Sequence, residues 1–131
     1  MTARAEGSFE VKIGPLNLHH ESGDANLGRM SIDKTFLGDL DATSFGEMLS
    51  ARTANQGSAG YVAIEKVTGK LEGREGTFVL QHSSTMERGE PRQSITVVPD
   101  SATGDLEGLT GSMVIDITDG KHLYVFEYTL P

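Results

Sequence analysis

Glycine and other turn-forming residues interrupt this chain at short intervals, and these interruptions limit what it can fold into. The segments between them are rich in β-branched and aromatic residues, as strands usually are. Asn, Asp, Gly and Pro dominate the interruptions, because turns need a positive or a pre-set φ angle. We predict eight strands, at residues 6–13, 28–38, 41–52, 59–69, 74–87, 92–99, 111–118 and 121–130.

Strands this short and this closely spaced predict an all-β fold, an eight-stranded antiparallel barrel. A barrel closes on itself and leaves no exposed edge. No stretch keeps a helical period over three turns. Residues 44–52 come closest, but Gly46 in their middle argues against a helix.

Length and composition indicate one cytoplasmic domain covering residues 1–131. A chain of 131 residues buries about two-thirds of its unfolded surface, enough for one core. It has no cysteine, which excludes disulfides and thiolate metal sites and favours an intracellular setting. No apolar run approaches the roughly 18 residues of a membrane span, and the first ten residues lack the apolar core of a signal peptide. We therefore expect no membrane partner.

Charge argues against nucleic acid as a partner. The formal net charge is −8, and lysine and arginine are scattered singly. A chain without a basic stripe would be repelled by a phosphate backbone.

One internal repeat gives more detail. Residues 68–80 (TGKLEGREGTFVL) resemble residues 103–115 (TGDLEGLTGSMVI), 35 residues later. We interpret each copy as a strand end, a glycine-containing turn and the start of the next strand. The glycine spacing is not that of a phosphate-binding loop, since no Lys-Ser/Thr and no helix follow it.

The repeat also predicts which way the strand at 74–87 faces. Strand side chains alternate between two faces. Superposing the two copies places His82 on Ile117, at the end of an apolar face, and Gln81 on Asp116, on the solvent face. We therefore predict that His82 points into the barrel and Gln81 points out.

The repeated T-G-x-L-E-G-x-x-G-[ST] element resembles the strand–turn motif of the allene oxide cyclase-like barrels, which include dirigent proteins. Residues 57–65 (GSAGYVAIE), 76–82 (GTFVLQH), 97–111 (VVPDSATGDLEGLTG) and 122–130 (HLYVFEYTL) resemble a narrower bacterial family of small single-domain proteins of uncharacterised function. The resemblance implies an eight-stranded barrel with a small cavity. It supplies no catalytic residues, although the cyclases use a carboxylate inside the barrel.

His82, Glu47 and Glu65 are the candidate catalytic residues. A buried imidazole can act as an acid–base group or hold a ligand, or it can be a core histidine bonded to a carbonyl or hydroxyl. Glu47 lies between apolar neighbours in 43–49, and Glu65 shares a face with residues 61 and 63. Either acid could instead be exposed, but an inward carboxylate needs a partner or a ligand.

Aromatic side chains suggest a pocket with polar anchors. The last strand alternates His122, Tyr124, Phe126 and Tyr128, which could line a pocket or simply pack the core. The candidate ligand-binding residues are Tyr61, Phe78, Leu80, Tyr124, Phe126 and Tyr128.

The remaining motifs give no cofactor or metal site. The segment HHESGD at 19–24 gathers imidazoles and acids without regular ligand spacing, so we expect no metal there. Ser83, Ser84 and Ser94 lie outside any G-x-S-x-G motif, which argues against a hydrolase triad.

Three functions remain open on this reasoning. The first is a barrel that binds an apolar or aromatic small molecule in its interior. The second is an isomerase or cyclase that uses general acid–base catalysis by His82 with Glu47 or Glu65. The third is a structural homo-oligomer with a filled barrel, assembled through apolar outer strand faces.

Overall fold

The structure, a computed structural model, describes residues 2–19 and 26–131. Its strands are β1 (Ala3–Leu16), β2 (Leu27–Gly38), β3 (Leu40–Arg52), β4 (Ala59–Leu71), β5 (Arg74–Glu87), β6 (Glu90–Val97), β7 (Thr110–Thr118) and β8 (Lys121–Thr129). Each strand pairs antiparallel with its neighbours in sequence, and β8 closes on β1. The predicted eight-stranded antiparallel barrel is confirmed, and residues 44–52 lie within β3 rather than in a helix.

Alternation along the strands divides the side chains between the barrel interior and its outer wall. β3 shows the rule, with Leu40, Ala42 and Ser44 buried while Asp41 and Thr43 are exposed. In the described part of the chain, no helix has the length and apolar character needed to cross a bilayer.

The two ends of the barrel differ in packing. At the end where β2 runs into β3 and β4 into β5, apolar side chains fill the interior, and we call this the closed end. Its fully buried members include Phe36, Leu40, Leu71, Phe78 and Phe126. At the opposite end, the open end, inward positions are half-buried or exposed. These positions are Val11, Ile13, Met30, Met48, Tyr61 and Ile117.

The two repeat copies share their positive-φ glycines but not their architecture. In the first copy, Glu72 and Gly73 make a tight turn with φ angles of 48° and 85°. In the second, a loop and a short 3₁₀ helix (Gly104–Leu106) lead into β7. Leu106 is buried at the closed end, so this loop acts as a plug. The prediction of a strand end in the second copy is therefore wrong, because residues 103–106 leave the sheet to cover the core.

The sheet is least regular between β6 and β7, where Thr96 and Ser112 are the paired residues. After β6 the chain continues along β5 instead. The amide of Val98 donates to the Val79 carbonyl at 2.9 Å, and the amide of Thr103 donates to the Thr77 carbonyl at 2.8 Å. Residues 98–103 thus extend along β5 beyond the end of β6.

Candidate functional site

The strand β5 turns His82 into the barrel and Gln81 onto its outer wall, as the repeat predicted. His82 is 3% exposed, whereas Gln81 is exposed. The neighbouring inward residues Phe78 and Leu80 are fully buried. An imidazole therefore ends a stretch of β5 that is otherwise apolar on its inner face.

Glu65 on β4 is the centre of a buried polar cluster. Its Oε2 atom lies 2.8 Å from His82 Nε2 and 2.8 Å from Lys34 Nζ. Its Oε1 atom accepts a hydrogen bond of 3.1 Å from the Ser44 hydroxyl. Glu65 itself has no exposed surface. We call Lys34, Ser44, Glu65 and His82 the polar cluster.

Lys34 and Ser44 were not among the predicted site residues. Lys34 is 7% exposed, and its Nζ atom lies 4.8 Å from the centre of the Phe9 ring, a cation–π contact. The signal was present in the sequence. Met30, Ile32, Lys34 and Phe36 alternate on one face of β2, so Lys34 interrupts an apolar row just as His82 does on β5.

The cluster keeps Glu65 ionised despite its burial. Burial alone would raise the pKa of Glu65, but the His82 hydrogen bond and the Lys34 charge hold that pKa below its usual value. A carboxylate at this position fixes the orientation of the imidazole, because its oxygen accepts the proton carried on Nε2.

Among the described residues, the second ring nitrogen of His82, Nδ1, has no hydrogen-bond partner. With the proton on Nε2, Nδ1 of the neutral ring carries a lone pair. The cluster therefore presents a hydrogen-bond acceptor, or a base, beside a buried ammonium group.

The cluster lies at the level where the packed interior gives way to the open end. Ala63 on β4 pairs with His82, and Tyr61 is the next residue on the same face of β4. The ring centre of Tyr61 lies 6.4 Å from that of His82. Nearer the rim, the inward side chains of Ile13 and Ile117 are 54% and 63% exposed. The hydroxyl of Ser84 is buried without a hydrogen-bond partner. The open end thus combines apolar walls with polar groups that can still accept or donate hydrogen bonds.

Glu47 does not join this cluster. It faces outward on β3, is 55% exposed, and forms a 2.7 Å ion pair with Arg29. β3 turns Ser44 inward, so the odd-numbered residues 45, 47 and 49 share the outer wall. Of the two candidate acids, the structure brings only Glu65 to His82.

Most of the predicted ligand-binding residues lie in the closed end. Phe78, Leu80, Tyr124, Phe126 and Tyr128 belong to one packed cluster with little or no exposure. The Tyr124 hydroxyl donates to the Leu37 carbonyl at 2.9 Å and accepts from the Leu40 amide at 2.9 Å. The structure therefore places these five side chains in the core, and Tyr61 alone of the predicted set lies at the open end.

The outer wall over β3, β4 and β5 carries shallow grooves. The larger, about 570 Å³, is bordered by Arg29, Glu47, Leu49, Val62, Ile64 and Gln81. His82 also borders it, but through its backbone, since its side chain points inward. We call this surface the outer groove, and it is separate from the polar cluster.

The cluster is poorly arranged for a metal ion. Glu65 and His82 are metal-ligating types, but the ammonium group of Lys34 contacts the same Oε2 atom and would repel a cation there. Residues 20–24 of the sequence HHESGD lie outside the described residues.

Comparison with known proteins identifies the family without naming an activity. A family model described as "Protein of unknown function (DUF3224)" matches residues 5–128. The chain belongs to the DUF3224 family. A crystal structure from that family, a protein with unknown function from Shewanella oneidensis MR-1, is 52% identical, with a TM-score of 0.95. The match covers 100% of this chain and 98% of that one. No curated protein matches the chain. The predicted resemblance to a family of small proteins of uncharacterised function is thus confirmed.

Proposed function

We propose that this DUF3224 protein binds a small molecule with an apolar or aromatic body, which enters the open end of the barrel and rests on the polar cluster. The observation that supports this most strongly is the burial of Lys34, Glu65 and His82 together, while the inward apolar side chains of Ile13 and Ile117, nearer the rim of the open end, remain exposed.

A purely structural role explains this burial poorly. Removing two charges from water costs several kcal/mol per ion, and replacing a buried ion pair by apolar side chains is often neutral or stabilising. The closed end shows that this chain fills its interior with apolar residues elsewhere. Perturbed, buried ionisable groups in a recess are typical of binding and active sites.

The walls define the class of ligand. Val11, Ile13, Tyr61 and Ile117 offer apolar and aromatic contact, while Lys34 and His82 form a polar base. A ligand with a hydrogen-bonding group at one end of an apolar body satisfies both. Burying that body contributes about 25 cal/mol for each Å² removed from water.

Binding can be tested with Nile red, an uncharged dye whose fluorescence rises in apolar surroundings. We expect saturable dye binding at a defined stoichiometry and displacement of the dye by naphthalene derivatives. The melting temperature of the protein should also rise with the dye present, because a ligand that binds only the folded state adds RT ln(1 + [L]/Kd) to the free energy of unfolding.

Two variants of β7 form a matched pair for locating the dye. Ile117 faces inward at the open end and Val114 faces outward, and they are 63% and 61% exposed. Ile117→Asp should weaken Nile red binding at least tenfold, whereas Val114→Asp should leave it unchanged. Equal effects of the two variants, or no binding to the wild type, would contradict the proposal.

A second function, homo-oligomer assembly, is supported by the outer wall. Phe45, Leu49, Val62 and Ile64 are 51–62% exposed on the adjacent strands β3 and β4. We propose that a second copy of the chain covers this face through a two-fold contact. A two-fold contact must be self-complementary. Arg29 and Glu47, neighbouring and of opposite charge, could pair across it with their counterparts in the second copy. Contacts between copies through other parts of the surface are disfavoured by the net charge of −8.

Sedimentation equilibrium at about 0.1 mM tests this assembly. The wild type should sediment above the monomer mass, and Phe45→Glu should return it to 14.0 kDa. Val114→Glu, which adds the same charge on an exposed outer position of β7, serves as the control. A monomeric wild type would rule the assembly out.

The allene oxide cyclase-like subtype and a cytoplasmic location complete this proposal. The closed antiparallel barrel of eight strands supports the first, and the cysteine-free composition supports the second.

A further inference from the structure

We infer that Glu65 and His82 form a proton-transfer pair that acts on a carbonyl compound with an acidic C–H bond beside the carbonyl group. This inference rests on the proposed binding of a small molecule at the open end and assigns that molecule a chemical class.

The geometry assigns different roles to the two residues. Glu65 accepts the Nε2 proton of His82 at 2.8 Å and has no exposed surface, so it touches no ligand and is a positioning residue. His82 Nδ1 then carries a lone pair and has no partner among the residues that the structure describes. His82 is the catalytic base in this arrangement.

Lys34 supplies the charge that the reaction needs. Its Nζ atom and His82 Nε2 each lie 2.8 Å from the same carboxylate oxygen, so they are no more than twice that distance, 5.6 Å, apart. One ammonium hydrogen is used by Glu65, which leaves two for an oxygen of the ligand. In the proposed complex, the carbonyl oxygen rests on Lys34 and the neighbouring carbon lies against His82 Nδ1.

The step is balanced without a co-reactant. Nδ1 takes the proton from the carbon, and the C–H electron pair forms a carbon–carbon double bond while the carbonyl electrons move onto oxygen. Lys34 stabilises the resulting enolate, and Glu65 stabilises the imidazolium. Return of the proton to the same carbon regenerates the ligand, and return to a conjugated carbon shifts a double bond.

Among the described residues, the charged groups that face the His82 ring are Glu65 on β4 and Lys34 on β2, with the titratable Tyr61 ring nearby. On β6 its paired neighbour is the apolar Ile95. Removal of the Glu65 carboxylate should therefore alter the pH profile of proton abstraction.

Exchange of carbon-bound hydrogen for deuterium measures this step directly. The probes are 2-tetralone, 4-phenylbutan-2-one and octan-2-one in D₂O, followed by proton NMR with and without the protein. We expect saturable exchange at least tenfold above buffer for one or more of them. His82→Gln should abolish it.

Glu65→Gln and Glu127→Gln form a matched pair, because the same change is made inside the barrel and at an exposed outer position of β8. Glu65→Gln should slow exchange at least tenfold and alter its pH profile, with ketone binding retained. Glu127→Gln should match the wild type. Equal rates in the two variants would overturn the role of Glu65.

Histidine ¹⁵N NMR on the unliganded wild type keeps the inference testable even if an interior variant fails to fold. In the neutral form of the ring, the His82 resonances should show the proton on Nε2 and none on Nδ1. The opposite tautomer would overturn the inference. Ketones that raise the melting temperature without exchange would refute proton transfer and leave the binding function intact. If none of the three binds, the carbonyl class is wrong, and Nile red decides the binding function separately.

Discussion

Removal of the Tyr124 hydroxyl tests the view that the aromatic residues of β8 are structural. The side chain is 1% exposed, and its hydroxyl connects the ends of β2 and β3 by donating to the Leu37 carbonyl and accepting from the Leu40 amide. Tyr124→Phe keeps the ring and removes only this oxygen. The Leu40 amide is then left without a partner in a place that water cannot reach.

The expected cost follows from that orphaned donor. A buried polar group without its hydrogen bond destabilises a protein by about 1–3 kcal/mol, so we expect the free energy of unfolding to fall by about 2 kcal/mol. The unfolding entropy of 131 residues is roughly 0.28 kcal/mol/K near 60 °C. The melting temperature should therefore drop by about 7 °C.

Urea denaturation followed by circular dichroism measures this change, with calorimetry as a second readout. Tyr61→Phe is the control, because Tyr61 is half-buried and its hydroxyl makes no hydrogen bond within the described residues. That variant should stay within about 0.5 kcal/mol of the wild type. If Tyr124→Phe is equally mild, the hydroxyl does not hold these strand ends together and our magnitude is wrong.

Three further predictions concern stability. Because folding lowers the pKa of Glu65, its ionised carboxylate contributes stability that is complete above the unfolded-state pKa of 4.5 and is lost as the pH falls below it. The urea midpoint should therefore fall more steeply between pH 5.5 and pH 3 in the wild type than in Glu65→Gln. Equal dependence of the midpoint on pH in the two proteins would contradict this. Gly73→Val should lower the free energy of unfolding by more than about 1 kcal/mol, because Gly73 has a φ of 85°. Gly60→Ala should be nearly neutral in chemical denaturation, because Gly60 has no positive φ and an added Cβ would meet no atom closer than 3.7 Å. In the same assay, His82→Ala should destabilise the barrel, whereas Gln81→Ala should change the free energy of unfolding by less than about 0.5 kcal/mol. The reverse order would show that the inward position of His82 does not contribute to stability.

The fold was largely predictable because its signals are local. Turn residues delimit the strands. Because side chains alternate between the two faces of a strand, His82 and Gln81 face opposite sides of the sheet whatever the position of β5 in the barrel. The same rule groups Glu65 with Tyr61 and Ala63 on one face of β4, but it did not decide whether that face points inward. These features depend on a few consecutive residues, so the sequence contains them in full.

The composition of the site was less predictable, because alternation gives the face of a strand and not its height along the barrel axis. Lys34, Glu65 and His82 meet because β2, β4 and β5 are staggered by their pairing register. That stagger is a property of the closed sheet. For the same reason the sequence could not show that Phe126 lies in the closed end and Tyr61 in the open end.

The sparse pairing of β6 with β7 has a consequence for how the barrel forms. Successive hairpins join β1 to β6 by local pairing, and β7 and β8 form a hairpin that attaches through β8 to β1. We therefore expect the junction at Thr96 and Ser112 to be the last boundary to close and the easiest to reopen. Native-state hydrogen exchange should detect this as a low-energy opening at 96 and 112, while amides between β3 and β4 exchange only on global unfolding. We expect the barrel to open transiently into a sheet at this junction, with β6 and β7 still joined by the loop that contains the 3₁₀ helix.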